Sequence, residues 1–326
     1  MNDTVQIQTL PSEEPSALPV PDNPTRLERP AFVLGFPFCY STRTANNPWM
    51  EDLPPEKRAP DLRRAMVQFF ELYRFLASEA LVYLLPTPGA CGLQDLVFTG
   101  NLGVVLDHLP DQDVVVLSNF TSEPRRGETE IGRSFFESMG YEVHVPRTKF
   151  EGDAELKHLH DNVYVGGYGI RSERESYDWM ERQFDMEIVK VALTDPYLYH
   201  LDCSVFPITR EHAMVCTELF EKEEIQAVEK HTSIIDVSVD DCYSGVCNSV
   251  RLSNTLLNGS HIHDLKAGTE DYRREIQKNR RLEDIASQLA FDVSFFNLSE
   301  YLKGGALLSC MVMHLNRYSY TFRLML

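Results

Sequence analysis

Gly304-Gly305-Ala306-Leu307-Leu308-Ser309-Cys310-Met311-Val312-Met313-His314-Leu315 leads from two glycines into an apolar run that holds one cysteine. Glycines let the backbone approach a ligand closely, and the apolar run over residues 307–315 predicts a buried strand. A cysteine placed there is either inert core or a nucleophile. A free thiol, with a pKa of about 8.5, needs a base or a cation beside it before it attacks anything. Two other segments put polar residues where a buried strand is expected to be apolar. In Tyr199-His200-Leu201-Asp202-Cys203 the histidine and the acid are two apart, so on a strand both point to one face. In Phe150-Glu151-Gly152-Asp153-Ala154 two acids flank a glycine beside an aromatic. An imidazole can activate the thiol, an acid such as Glu151 can orient the imidazole, and a second carboxylate is then left to bind a cationic substrate.

Outward from these segments, helix-like and strand-like pieces alternate. Met66, Phe69, Phe70, Leu72, Phe75 and Leu76 recur at helical spacing and predict a helix over residues 61–84. Further helices are predicted over 128–139, closed by Gly140, and over 173–183, 217–230 and 271–289. Strands are predicted over 95–106, 113–117, 141–145, 162–165, 187–193, 199–206, 234–239 and 307–315. Short strands alternating with single helices predict an α/β chain. No composition break divides residues 31–326, which are read as one domain. Residues 1–30 carry six prolines among polar residues and are read as a disordered arm.

Bulk properties narrow the function. Of 326 residues, 43% are hydrophobic, enough for a sizeable core, and the formal net charge is −18. That charge argues against nucleic acid or an anionic membrane as partner and suits a cationic substrate. No apolar run approaches the roughly 18 residues of a membrane span. The N-terminus lacks the basic flank and apolar core of a signal peptide. Seven cysteines at scattered spacings, with no C-x-x-C, suggest a reducing, cytoplasmic setting in which disulfides are not needed. His261, His263 and Asp264 lie close in sequence but have no further ligand motif, so they are read as surface residues and no metal or cofactor is expected.

Six segments, in order, resemble the amidinotransferase / arginine deiminase / dimethylargininase superfamily. Phe150-Glu151-Gly152-Asp153 resembles its F-E-G-G-D-type motif, Tyr199-His200-Leu201-Asp202 its H-L-D motif, and Ser299 to Cys310 its nucleophile segment. Asn47-Pro48-Trp49-Met50, Phe98-Thr99-Gly100-Asn101 and Gly167-Tyr168-Gly169-Ile170-Arg171 are similar to N-P-W-M, F-T-A-N and G-Y-G-x-R-T of the arginine dihydrolase-like branch. The acidic motif here lacks the residue usually found between glycine and Asp153, Ala306 replaces a third glycine, and Cys203 stands where threonine is usual.

The resemblance implies a pentein, a five-bladed α/β propeller of pseudo-fivefold ββαβ units around a central active site. It also implies roles. Cys310 attacks a guanidinium carbon, His200 acts as acid and base, Glu151 orients His200, and Asp202 binds guanidinium nitrogens. Arg171 grips a carboxylate, Asn101 and Asn47 line the pocket, and Asp153 is a further substrate ligand. The implied activity is hydrolysis of arginine or a close guanidino compound, needing no cofactor. Amidino transfer to an amine, dimethylarginine hydrolysis and a non-catalytic pentein that only binds are the alternatives. A homo-oligomer is compatible with each.

Overall fold

The computed structural model describes residues 23–87, 92–109 and 112–322. Residues 1–22 of the expected arm lie outside the described residues.

The described strands form five separate three-stranded sheets. Four of them share one chain path. Two antiparallel strands are followed by a helix and then by a third strand, parallel to the second. The first such unit is β3 (Gly103–Val105), β4 (Val114–Leu117), helix Glu128–Ser138 and β5 (Glu142–His144). The second is β6 (Leu156–His160), β7 (Val163–Tyr168), helix Arg174–Phe184 and β8 (Glu187–Ala192). The third is β9 (Val205–Pro207), β10 (His212–Val215), helix Lys222–Glu229 and β11 (Ser233–Asp236). The fourth is β12 (Ser249–Leu252), β13 (Thr255–Gly259), helix Glu270–Gln288 and β14 (Asp292–Phe296).

The fifth sheet is assembled from both ends of the chain. β15 (Val312–His314) runs antiparallel to β1 (Ala31–Gly35), with Val33 opposite Met313. β1 then pairs in parallel with β2 (Leu81–Leu85) after the helix Leu62–Glu79. The strand just after Cys310 therefore supplies the unit's first strand.

Local chemistry explains most boundaries. Asp61 caps the helix Leu62–Glu79 by accepting from the backbone N–H groups of Arg63 and Arg64. Ala65, Phe69, Leu72 and Leu76 form its buried stripe. The helix ends five residues short of the predicted end. Leu81-Val82-Tyr83-Leu84-Leu85 continues an apolar pattern but finds β1 to pair with, so tertiary pairing overrides the helical period. Gly140, at φ +84°, closes the helix Glu128–Ser138 as expected. Thr217–Leu219 is a 3-10 turn, and the helix there begins only at Lys222, behind a Glu221/Glu224 capping box.

The larger correction concerns the three segments first read as strands. Residues 99–101, 201–203 and 309–311 are 3-10 turns, and strand pairing starts only at β3, β9 and β15. His200 and Asp202 therefore do not share a strand face. A fourth turn, Gly152–Ala154, precedes β6 in the same way. One turn is too short to show a period, and the apolar residues that follow each turn make it read as the start of the strand.

Five hydrophobic clusters hold the sheets together, and each is shared by two sheets. Val33, Met313, Val115 and Leu117 join the fifth to the first, and Val104, Val116, Leu156 and Tyr164 join the first to the second. Val163, Val165, Ala213 and Val215 join the second to the third, and Phe206, Met214, Leu256 and Leu282 join the third to the fourth. Phe32, Leu34, Val250 and Leu257 join the fourth back to the fifth. Cys203, Cys216, Cys242, Cys247 and Cys310 are free thiols. Cys39 is disulfide-bonded, so the expectation of a chain without disulfides does not hold there. No helix among the described residues is long and apolar enough to cross a membrane.

The turn at Gly152 depends on glycine. Its φ is +69°, and a Cβ there would lie 2.8 Å from the carbonyl carbon and oxygen of Asn101 and from the Gly103 nitrogen. Those are backbone atoms and cannot swing aside. Gly152→Ala is expected to cost about 3 kcal/mol, from left-handed strain plus the contact. Urea denaturation measures this, and an unchanged midpoint would contradict the packing described.

Candidate active site

The turns that lead into the first strands all deliver polar side chains to one buried place. The residue before the second unit's turn is Glu151, and the residue before the third unit's turn is His200. The two meet. His200 Nε2 lies 2.8 Å from Glu151 Oε2, and both side chains are almost wholly buried. An ionised carboxylate only accepts, so Nε2 carries the proton and Nδ1 keeps its lone pair. Nδ1 is 3.3 Å from Asn101 Nδ2, which donates to it. Asn101 is the last residue of the first unit's turn.

Electrostatics follow from this geometry. Burial alone would raise the Glu151 carboxyl, but the His200 hydrogen bond and the Arg171 charge outweigh it and hold the pKa at about 2. Burial pushes the His200 pKa down, against the pull of Glu151, so the resting imidazole is neutral. Burial first, and the Asp202 charge second, push the Cys310 thiol up to about 12. The resting pair is therefore a thiol and an imidazole, not a thiolate and an imidazolium.

Cys310 occupies the middle of the 3-10 turn that enters β15. Its thiol lies 3.7 Å from Asp202 Oδ2. That oxygen also accepts from Ser309 Oγ at 2.5 Å and from Asn248 Nδ2 at 3.3 Å. Cys310, His200, Asn101, Asn47 and Arg171 line one cavity with Asn46, Asp95, Phe98, Arg125, Tyr199, Gly304 and Ala306. The cavity is narrow in this structure, with a volume of about 20 Å³. Asn47 caps the short helix Pro48–Glu51 and donates to the Gly304 carbonyl at 3.0 Å, closing the cavity beside the glycine pair. Arg171 is fixed on two sides. Nη2 donates to the Asn46 carbonyl and Nη1 is 3.7 Å from Glu151, while its guanidinium stacks over Tyr199 at 4.9 Å.

One expected ligand lies elsewhere. Asp153 does not line the cavity. It is buried against His314 Nδ1 at 2.9 Å, Arg317 Nη2 at 3.3 Å and Lys157 Nζ at 3.8 Å. Burial would raise its pKa, but the charges of Lys157 and Arg317 outweigh that and pull it well below the carboxylate range. Spacing hides this, because the turn at Gly152 sends Glu151 and Asp153 to different partners. Among the described residues no group of three metal-ligating side chains gathers anywhere, and His261 pairs instead with Glu275.

Four cavity or thiol neighbours, Asn46, Asp95, Arg125 and Asn248, were not legible in the sequence. Asp95 is buried in the cavity wall, where burial raises its carboxyl pKa even though Asn46 Nδ2 donates to it at 2.6 Å. Arg125 lines the cavity while donating to Glu128 Oε1 through Nε and to Oε2 through Nη2. Asn248 touches Cys310 and Asp202. Asn101, Glu151, His200 and Asn248 follow at intervals of 50, 49 and 48 residues. That spacing is a weak signal that could have pointed to Asn248.

Comparison with known proteins shows what the chain is similar to. The chain is 28% identical over 288 residues to the bifunctional arginine dihydrolase/ornithine cyclodeaminase AgrE of a Nostoc species, covering 86% of this chain and 37% of that protein. It is 28% identical over 170 residues to the N(G),N(G)-dimethylarginine dimethylaminohydrolase of Mycobacterium tuberculosis, covering 52% of each. The product-bound N-terminal domain of the cyanobacterial arginine dihydrolase ArgZ superposes with a TM-score of 0.75 at 26% identity, covering 88% of this chain and 97% of that one. The chain spans little more than a third of the full AgrE and ArgZ proteins, at 37% and 36%. A family model described as N,N dimethylarginine dimethylhydrolase, eukaryotic, matches residues 37–317, and the chain belongs to that family.

Proposed function

We propose that this protein hydrolyses the guanidinium group of L-arginine or a close guanidino compound through a covalent adduct on Cys310. The observation that carries this is the cavity itself. A buried thiol lies against the Asp202 carboxylate, and it shares the cavity with a neutral histidine held by an ionised Glu151. The relatives named as arginine dihydrolases, whose N-terminal domain superposes over most of this chain, support the same substrate class.

The chemistry follows from charge. A guanidinium seated on Asp202 neutralises the charge that, after burial, does most to hold the thiol proton on. Cys310 then loses its proton to His200 Nδ1, and Sγ bonds to the guanidinium carbon. His200 returns that proton to the departing amine as its C–N bond breaks, leaving an amidino thioether. It next takes a proton from water as the oxygen attacks, and the C–S bond breaks to restore the thiol. Glu151 keeps the ring in the productive tautomer throughout. Two rounds on arginine consume two waters and release ornithine, two ammonia and carbon dioxide. Asn101, which donates to the reacting nitrogen of His200, is the residue on which the choice of product turns. Arg171, Asn47 and the newly seen Asp95 line the end where the substrate's amino and carboxylate groups would lie.

The matching family model favours a second reading, hydrolysis of dimethylarginine to citrulline and dimethylamine. We also infer that residues 31–326 form one domain closed into a five-bladed propeller. Its support is the set of five cores, each shared by successive sheets and the last joined to the first. A reducing cytoplasm suits a centre that needs its thiol free, and the disulfide at Cys39 is the observation that weighs against it.

Incubation with arginine, or with dimethylarginine, and mass spectrometry of the products test the function. Ornithine with two ammonia supports the first reading, and citrulline with dimethylamine the second. Turnover of neither compound, or turnover retained by Cys310→Ala, would overturn both. Asn101→Ala is expected to lower kcat at least about tenfold and to change the ratio of citrulline to ornithine; an unchanged ratio contradicts the role given to Asn101. The high resting thiol pKa makes a pH prediction. Alkylation of Cys310 by iodoacetamide without substrate should rise about tenfold per pH unit from about pH 7 to 10 without levelling. A plateau already reached by about pH 8 would show a resting thiolate instead.

A further inference from the structure

Four sheets receive a chemically committed turn: Asn101 before β3, Glu151 before β6, His200 and Asp202 before β9, and Cys310 before β15. The fourth sheet enters through Asn248, one residue ahead of β12, and no part of the reading above uses it.

Asn248 is 3% exposed and held on every side. Its backbone nitrogen donates to the Gly245 carbonyl at 3.2 Å, and its carbonyl accepts from Asn258 Nδ2 at 3.3 Å. The side-chain orientation is fixed as well. Oδ1 accepts from the Ser309 backbone N–H at 2.8 Å, and a backbone N–H only donates, so the amide cannot be turned over. Nδ2 therefore faces the centre, 3.3 Å from Asp202 Oδ2 and 3.7 Å from Cys310 Sγ. It has two hydrogens for those two acceptors.

We propose that Asn248 is the positioning residue of the nucleophile. Its carbonyl holds the peptide just before Cys310, and its amide supplies a neutral N–H donor to the sulfur as negative charge forms. A thiol accepts poorly and a thiolate accepts well, so this contact strengthens on ionisation and on return of the thiolate as leaving group. A cation in that place would compete with the substrate guanidinium for Asp202. An amide stabilises sulfur without doing so. The role rests on the proposed chemistry of Cys310, but part of its test does not.

The test compares wild type, Asn248→Asp and Asn248→Ala by three measurements. Asn248→Asp keeps an oxygen for the Ser309 N–H and a similar volume, and removes the N–H donor from sulfur whether the new carboxyl is ionised or shares a proton with Asp202. Loss of the donor is expected to raise the thiol pKa by about one unit. The gain in nucleophilicity of a more basic thiolate offsets part of that, so iodoacetamide labelling of Cys310 at about pH 8, located by peptide mass spectrometry, should slow at least about threefold in both variants. With arginine, kcat should fall at least about tenfold while KM changes less than about threefold. The third measurement is thermal stability. Lower stability with labelling and kcat unchanged, or faster labelling in Asn248→Asp, overturns the proposal. If wild type turns over no guanidino compound, the substrate reading fails, and the labelling rates still decide the role of Asn248.

Discussion

One hydrogen bond, His200 Nε2 to Glu151 Oε2 at 2.8 Å, joins turns from two different units between buried side chains. A charge buried there must be paired or it drives its own neutralisation. Glu151 is paired by His200, by the Thr121 N–H at 3.0 Å and by Arg171, and so stays ionised. His200 is then fixed in one tautomer, with its free lone pair toward Asn101 and the cavity. Displacing either turn would leave a buried carboxylate without its partners. The two turns must therefore meet in one register, and the apolar seams between sheets help to hold them there.

The same logic places Asp153. Two residues beyond Glu151, it takes the opposite set of partners: His314 and Arg317 from the C-terminal stretch and Lys157 from β6. One short motif thus holds both the general-base histidine of the proposed reaction and the strand that follows the nucleophile's turn. Cys310 and His314 lie four residues apart on either side of the start of β15. A motif acid read as a substrate ligand is instead a tie between units. The glycine between the two acids permits the left-handed turn that sends them apart.

Much of the site was legible because its chemistry needs rare residues in buried places. Cys310, His200, Asp202, Glu151 and Asn101 were all identified from sequence, and they meet. The α/β class was legible from alternating periods, as were most helices. What failed did so for physical reasons. Leu81–Leu85 continues a helical pattern but is claimed by β1. The segments around His200 and Cys310 lead straight into strands, and the single 3-10 turn ahead of each strand is too short to show a period. Asn248 and Asp95 are ordinary residues in ordinary company; the repeated unit gives Asn248 its place, and only the folded chain places Asp95. The pairing of β15 with β1 left no local signal, because it joins segments nearly the whole chain apart.

The central claim is that guanidino chemistry passes through a bond to Cys310. Acid quenching of wild type and of His200→Ala during incubation with arginine, followed by peptide mass spectrometry, tests it most directly. The account predicts an arginine-derived adduct on the Cys310 peptide in wild type and its loss in His200→Ala, which lacks the group that deprotonates the thiol and protonates the departing amine. Turnover of arginine with no adduct on Cys310 in either protein would contradict it.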